Sequence, residues 1–566
     1  MGKFKLIVIA AIVMFGVASC SEDYLDVSPE NVISEDNLDL EQLVVSAYSS
    51  LDYRFNTGQT RDNWPFDHAP SNWCFSDIRS GDAYKGGGGV GDNPGGSMHG
   101  LEIHQVFASS ENVYNLWRAG YFGIARINSA ITALNNNPDF ANKDVRIGEL
   151  KVLRAHFYFE LMKNFGSFVY IDENTPISDV PKIENSFDTD FLWGKIEGDL
   201  NAAIAVLPET QPELGRVNKL VAYAFLAKAK LFQGQWADVI TNADKVIAGP
   251  YQLVDDLEKL YSTPGYGNAE NVFAIQYSIN DGSEFGNLDF GNLLNSPDSP
   301  SDDTNHPYLN GDDFGKPSQN IVNAFKVDGN GLPLLDTYNA ADLSPTDITI
   351  PVDPRLDHAI GRPGITWKQW VGMPMQNNWN RDIATYGVYV RKKNQIDPNS
   401  DLRASGGFPW AKGALDWPII KISDVLLWKA EASIELNNIE TGMTIINQIR
   451  TRAKNSPYVY DFNNPSIDAA NYSIELYPTT GVTKPYAIKA LRMERRLELN
   501  NEGHHFYDLV RWGIAANWIN DYMLTESGKR SYYSGASFTA GRDEYLPIPQ
   551  IEIDATGGVY KQRSGY

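Results

Sequence analysis

Residues 492–513 bring together Arg492, Glu494, Arg495, Arg496, Glu498, Glu502, His504 and His505, the residue types of acid–base catalysis or a metal centre. At about 100° per residue of helix, Ala490, Met493 and Leu497 fall on one side, with Ile488, Leu491 and Leu499 nearly opposite. A helix apolar on two faces is a buried helix. Glu494, Glu498 and Glu502 form one stripe, and Arg492 and Arg496 another, too far apart to pair fully. They therefore need partners from other helices. Gly503 supplies a left-handed stop, after which Phe506, Leu509, Val510 and Ile514 resume helical spacing, and a helical hairpin follows. His504 and His505 diverge by about 100° on a helix and have neither an HExxH motif nor a third-ligand spacing. The cluster reads as a structural ion network, and no catalytic residue, metal or cofactor is expected.

Lys3 and Lys5 precede an apolar run over residues 6–17 that ends in Val17-Ala18-Ser19-Cys20. A dozen or so apolar residues are too few to cross a bilayer but suit a secretory signal. Small residues directly before a cysteine look like a bacterial lipobox, in which the thiol is diacylated and becomes the new N-terminus. Residues 1–19 thus read as a lipoprotein signal peptide, Cys20 as the lipidation site and residues 20–37 as a tether, so that membrane contact is through a lipid anchor. The other cysteine, Cys74, between Trp73 and Phe75, reads as a small buried hydrophobe.

Across 566 residues the composition is globular, 42% hydrophobic and 21% charged. A net charge of −23 makes nucleic acid a poor partner, and a neutral ligand fits better. Helical spacing is predicted over residues 38–55, 111–134, 145–164, 190–207, 217–233, 236–248, 423–437 and 439–454. Tyr223, Leu226, Ala227, Gly234, Trp236 and Pro250 resemble the tetratricopeptide pattern, and Ala430 and Gly442 supply small residues at comparable offsets in a second helix pair.

From residue 250 to 418 the helical periodicity stops. Gly, Pro, Asn and Asp dominate, and the alternations at 272–277 and 386–390 are predicted strands. The Asp-rich run 298–313 lacks EF-hand spacing and reads as a solvated loop. A second long loop, residues 57–110, carries the glycine run Gly86 to Gly89, which has no Gly-Lys-Ser/Thr ending and is no phosphate loop. Loops of this length in a compact domain are functional or disordered. The fold class is mainly α: a tetratricopeptide-like helix-turn-helix repeat scaffold with a large irregular, loop-rich lobe containing short strands.

Four separated features, in this order, resemble the SusD/RagB family of outer-membrane glycan-binding lipoproteins. They are the lipobox with Ser21-Glu22-Asp23-Tyr24-Leu25-Asp26, the segment Leu153-Arg-Ala-His-Phe-Tyr-Phe-Glu-Leu161 ahead of Phe165-Gly166, the 492–513 motif, and Tyr545-Leu-Pro-Ile-Pro-Gln550. One departure is Gly166-Ser167-Phe168, where the family often places a proline soon after the glycine. The resemblance implies a single SusD-like domain over residues 38–566, with a helical scaffold over about 38–249 and 418–566 and an irregular lobe over about 250–417. It also implies a non-enzymatic role at the cell surface, where an oligosaccharide or polysaccharide is captured and delivered to a SusC-like TonB-dependent transporter.

A sugar offers C–H groups on one face and hydroxyls at its edge, so its binder needs a flat aromatic ring flanked by Asp, Asn or Arg. Trp64, Trp73, Trp367, Trp370, Trp379 and Trp410 lie outside the helical repeats, near Asp77, Asp82 and Arg381 in sequence. These nine are the glycan-binding candidates. Trp117, Trp193, Trp236, Trp428, Trp512 and Trp518 lie on helical faces and read as core. A lipid-anchored glycoside hydrolase is the alternative; it needs a carboxylate pair about 5–10 Å apart, one with a raised pKa. A purely protein-binding repeat scaffold is a third reading, which the tryptophan-bearing lobe argues against.

Overall fold

Long helices form where the apolar 3.6-residue spacing runs uninterrupted. The computed structural model describes residues 39–53, 71–92, 98–262, 267–279, 293–298, 311–368, 373–397, 399–404 and 413–566. Residues 1–38, with Cys20, and Trp64, Trp370 and Trp410 lie outside these. The chain divides into two units, Met1–Leu43 and Val44–Tyr566. In the first, Asp39 Oδ1 accepts the backbone N–H groups of Glu41 at 3.0 Å and Gln42 at 3.3 Å, opening helix α1 (Leu40–Tyr48).

The second unit holds α2 (Glu111–Asn136), α3 (Lys143–Phe165), α4 (Thr189–Val206), α5 (Lys219–Phe232) and α6 (Trp236–Ile247). After a long irregular stretch come α7 (Ile422–Glu435), α8 (Ile439–Asn455), α9 (Lys484–Glu498), α10 (His505–Arg511) and α11 (Ala515–Ser527). Side-chain caps start several of them: Asp188 for α4, Asn218 for α5 and Thr483 for α9. From α2 to α8 each helix packs on the next, and α6 stacks directly on α7. The helical repeat thus continues across the inserted lobe. Gly442 shows why small residues recur at these seams: a Cβ there would lie 2.8 Å from Ala430 O and 2.5 Å from the Ile434 side chain.

The irregular lobe is attached to the scaffold by short antiparallel pairs. In chain order the strands are β1 (Ala83–Gly86), β2 (Asn271–Ile275), β3 (Phe314–Pro317), β4 (Ile360–Gly361), β5 (Val390–Arg391) and β6 (Trp417–Lys421). β1 pairs with β3, β2 with β6 and β4 with β5, while a hairpin at Tyr460–Asp461 and Asn464–Asp468 projects outward. The predicted strand at 272–277 corresponds to β2. The predicted strand at 386–390 does not form. Asp382 instead accepts the Thr385 N–H to cap a single helical turn, Ile383–Tyr386, and only Val390 enters β5.

The C-terminal half of α9, from Met493 to Glu498, is buried, and its charges draw partners from the whole unit. Glu494 meets Arg355 at 2.6 Å and Arg450 at 3.2 Å. Glu498 pairs with Arg452 and lies 3.3 Å from Arg355. Arg495 binds Asp508 at 2.8 Å, and Arg496 binds Asp82 at 2.6 Å and Asn320 Oδ1 at 2.7 Å. The helix ends at Glu498, short of the predicted 502, because Asn501 turns left-handed and Gly503 follows at φ +78°. A Cβ on Gly503 would lie 1.9 Å from Ser71 O. Glu502, released from the helical stripe, reaches Lys393 at 2.6 Å and Lys421 at 2.8 Å.

Burial alone would raise these carboxyls, but Arg452 and Lys421 hold Glu498 down at about 2, Lys393 and Lys421 do the same for Glu502, and Arg495 and Arg511 for Asp508. All three are depressed below their unfolded values, so their stabilisation is present above about pH 4.5 and is lost as pH falls toward 2. Denaturant midpoints measured from pH 6 down to pH 2 are expected to be steady at first and then fall steeply below about pH 4.5; a flat profile refutes the network's contribution. Arg496→Ala leaves Asp82 buried without its arginine and should destabilise the fold by about 3–5 kcal/mol in equilibrium unfolding. Unchanged melting with lost ligand binding would instead make Arg496 a binding residue.

Candidate functional site

The long loop and the irregular lobe meet along β1 and β3, with Tyr84 opposite Lys316 and Gly86 opposite Phe314. Beyond β1 the glycine run turns over the seam: Gly87 N–H donates to Asp313 O at 2.8 Å, and Gly88 N–H to Asp92 Oδ2 at 2.8 Å. Lys85 is folded inside this turn. Its ammonium donates to Gly86 O at 2.9 Å, to Gly89 O at 3.0 Å and to Asp92 O, and burial pushes its pKa down to about 8. The glycine loop is thus closed around an internal cation, which a phosphate loop would instead present outward.

Arg381 closes the seam from the lobe side. Its backbone N–H donates to Asp313 Oδ2 at 3.0 Å, and its guanidinium lies 2.9 Å from Asp92 Oδ2 and 3.1 Å from Asp312 O. Asp313 is held in turn by Lys316 at 2.8 Å, and Lys316 also donates to Asn380 Oδ1. The Arg381 side chain remains 31% exposed, with Asp92 and Asp312 at 26% and 28%. Burial raises Asp312, and Asp92 and Asp298 add to the rise while Arg381 opposes it. Exposed Gly88, Asn377 and Asn378 continue the rim. It offers guanidinium, carboxylate and amide groups at one partly solvated surface, the donors and acceptors that sugar hydroxyls require.

Other sequence candidates lie deeper. Trp73 is fully buried, and its ring is 6.2 Å from Phe314. Trp367 and Trp379, each 1% exposed, meet edge to face at 5.2 Å beneath the rim, and Trp379 O accepts the Asp298 N–H. Asp77 accepts the Gly503 N–H at 3.0 Å, and burial pushes it up to about 8, so it carries its proton at neutral pH. Asp82 pairs with Arg496 and lies 3.0 Å from His505 Nδ1. Five candidates are therefore interior, and Arg381 alone of those described reaches the surface.

Asp92, Asp312 and Asn380 join the site without having been singled out individually in the sequence. Their signals were present in hindsight: a carboxylate four residues past Gly88, and the amide-rich run Gln376-Asn377-Asn378-Trp379-Asn380 ahead of Arg381. Among the described residues no group of three or more His, Cys, Asp or Glu side chains is placed to hold a metal. Cys74 is buried, as expected of a small hydrophobe.

Comparison with known proteins covers nearly the whole chain. SusD-like protein P25 of Formosa agariphila is 21% identical over 99% of this chain and 100% of its own length. A structure described as a laminarin binding SusD-like protein superposes with a TM-score of 0.66 at 23% identity, over 93% of this chain and 99% of that one. Surface glycan-binding protein A from Bacteroides thetaiotaomicron, in complex with laminarihexaose, gives 0.66 at 22%, over 93% and 98%. Residues 23–231 match a model described as starch-binding associating with outer membrane. Residues 269–566, more than half of the chain, match the SusD family model and include both Arg381 and helix α9, and on this match the chain belongs to the SusD family.

Proposed function

We propose that this protein is a surface glycan-binding lipoprotein that captures oligosaccharide and delivers it to a SusC-like TonB-dependent transporter without cleaving it. Family membership carries the reading. Association with the outer membrane accords with the description of the family model matched by residues 23–231. Anchoring is assigned to diacylated Cys20, on the lipobox-like Val17-Ala18-Ser19 before it. In this proposal the edge of the sugar is read by Arg381, Asp92, Asp312 and Asn377. Its flat face is assigned to Trp64, Trp370 and Trp410, because the other three non-helical candidates are buried. Trp367 and Trp379 then act as a rigid floor.

The glycoside hydrolase alternative requires one carboxylic acid and one carboxylate free to act on the glycosidic bond. Asp312 is raised, but it and Asp92 both contact the Arg381 guanidinium, which suits fixed hydrogen bonding better than proton transfer.

Calorimetry against a panel of neutral polysaccharides, laminarin among them, should find at least one ligand. Arg381→Ala should weaken binding by about 10- to 100-fold, the loss of one or two charge-assisted hydrogen bonds, with little change in melting. Equal affinity in Arg381→Ala and in the Trp64, Trp370 and Trp410 alanine variants would remove the site from this surface. Incubation with the bound glycan should release no reducing ends, and mild detergent extraction should recover a TonB-dependent transporter with the protein. Released reducing ends would establish the hydrolase, and repeated absence of the transporter would remove the delivery role.

A further inference from the structure

A cavity of about 40 Å³ lies inside the helical scaffold, separate from the Arg381 rim, with Tyr53, Glu160, Lys163, Lys228, Arg495 and Asp508 in its wall. Most of the charges here have direct partners. Lys163 Nζ lies 2.7 Å from Glu160, Arg495 Nε lies 2.8 Å from Asp508, and Glu502 is taken by Lys393 and Lys421.

Lys228 is the exception. It rises from α5 into the cavity wall and is 8% exposed. Among the described residues its ammonium has no hydrogen bond or ion pair, and it lies 5.1 Å from the centre of the Phe159 ring. Arg495 Nη1 and the Tyr53 hydroxyl are also buried without hydrogen-bond partners. Asp424 stands 3.9 Å from Arg495 Nη1 and 3.8 Å from His504 Nε2, too far to hydrogen-bond either; its Oδ1 has no partner, nor has Oδ2 of Asp77, whose Oδ1 accepts the N–H of Gly503 in the wall. His156 Nδ1 is unpartnered too, and burial holds that ring down at about 4, neutral at pH 7. Burial lowers Lys228, with Glu160 and Asp424 opposing.

The wall therefore has more unused donors than acceptors, and one of those donors is a buried ammonium. An unpaired buried charge is costly. The group that relieves it must accept hydrogen bonds, carry negative charge and fit a volume of about three water-sized spheres. We propose that this cavity is a binding site for a small monovalent anion of halide size, held by Lys228 Nζ with Arg495 Nη1 as a second donor. The bound anion ties α5 to α9 across the interior and stabilises the scaffold. Bulky or multivalent anions do not fit.

Thermal unfolding of the full chain at constant ionic strength, with sodium gluconate exchanged stepwise for sodium chloride, tests the site. Tm should rise by about 1 °C per tenfold increase in chloride once its Kd is exceeded, and Lys228→Met should flatten that dependence. Crystals of the wild-type protein soaked in bromide should show an anomalous peak beside Lys228 Nζ, a measurement that stands even if Lys228→Met does not fold. A chloride-independent Tm overturns the proposal, as do parallel chloride responses in wild type and Lys228→Met. So does a cavity filled by water only, with no bromide peak.

Discussion

The ion network on α9 is the constraint on which the rest of the molecule depends. Transferring a carboxylate or guanidinium out of water is expensive unless its partner is already in place, and Glu494, Glu498 and Arg496 are each no more than 4% exposed. Their partners come from segments far apart in sequence: Asp82 from the long loop, Arg355 from the lobe, and Arg450 and Arg452 from α8. Each pair can close only if every segment has arrived in register. Such pairs contribute little net stability over well-packed apolar groups, but breaking one leaves a stranded charge. They therefore act to select one arrangement of loop, lobe and scaffold.

That selection lets a repeat fold carry a large irregular insertion. Because α6 stacks on α7, the helical repeat continues past the lobe, which supplies the scaffold with charged partners such as Arg355 for Glu494. The lobe has few regular elements of its own. It is held by strand pairs of two to five residues and by lysines and arginines reaching into the scaffold, such as Lys393 to Glu502. The Arg381 rim sits at one such seam, where Lys85 pins the loop backbone and Asp313, itself held by Lys316, pins the Arg381 backbone N–H. A polar surface built on pinned backbone loses little entropy when it binds a ligand.

Residue type was a poor guide to burial among the described candidates. Tryptophans outside helices were candidates for stacking a sugar, yet Trp73, Trp367 and Trp379 are interior, whereas Trp518 on α11 and Trp512, just past α10, are only partly covered. The cause is geometric: an irregular lobe has no helical stripe with which to build its core, so its largest flat side chains fill the gaps. Asp77 and Asp82 were drawn inward for a related reason, to serve Gly503 and Arg496.

The sequence by itself determined the helices, their pairing and the structural role of residues 492–513, because periodicity, caps and small residues at seams act over neighbours a few positions apart. Its order of motifs also sufficed to point to the SusD family. Tertiary structure alone decided which charges meet, where α9 stops, and which aromatic and acidic residues of the lobe face solvent. Those outcomes depend on contacts between residues hundreds of positions apart. The Arg496–Asp82 pair, 414 residues apart in sequence, leaves no local signal by which it could have been read in advance.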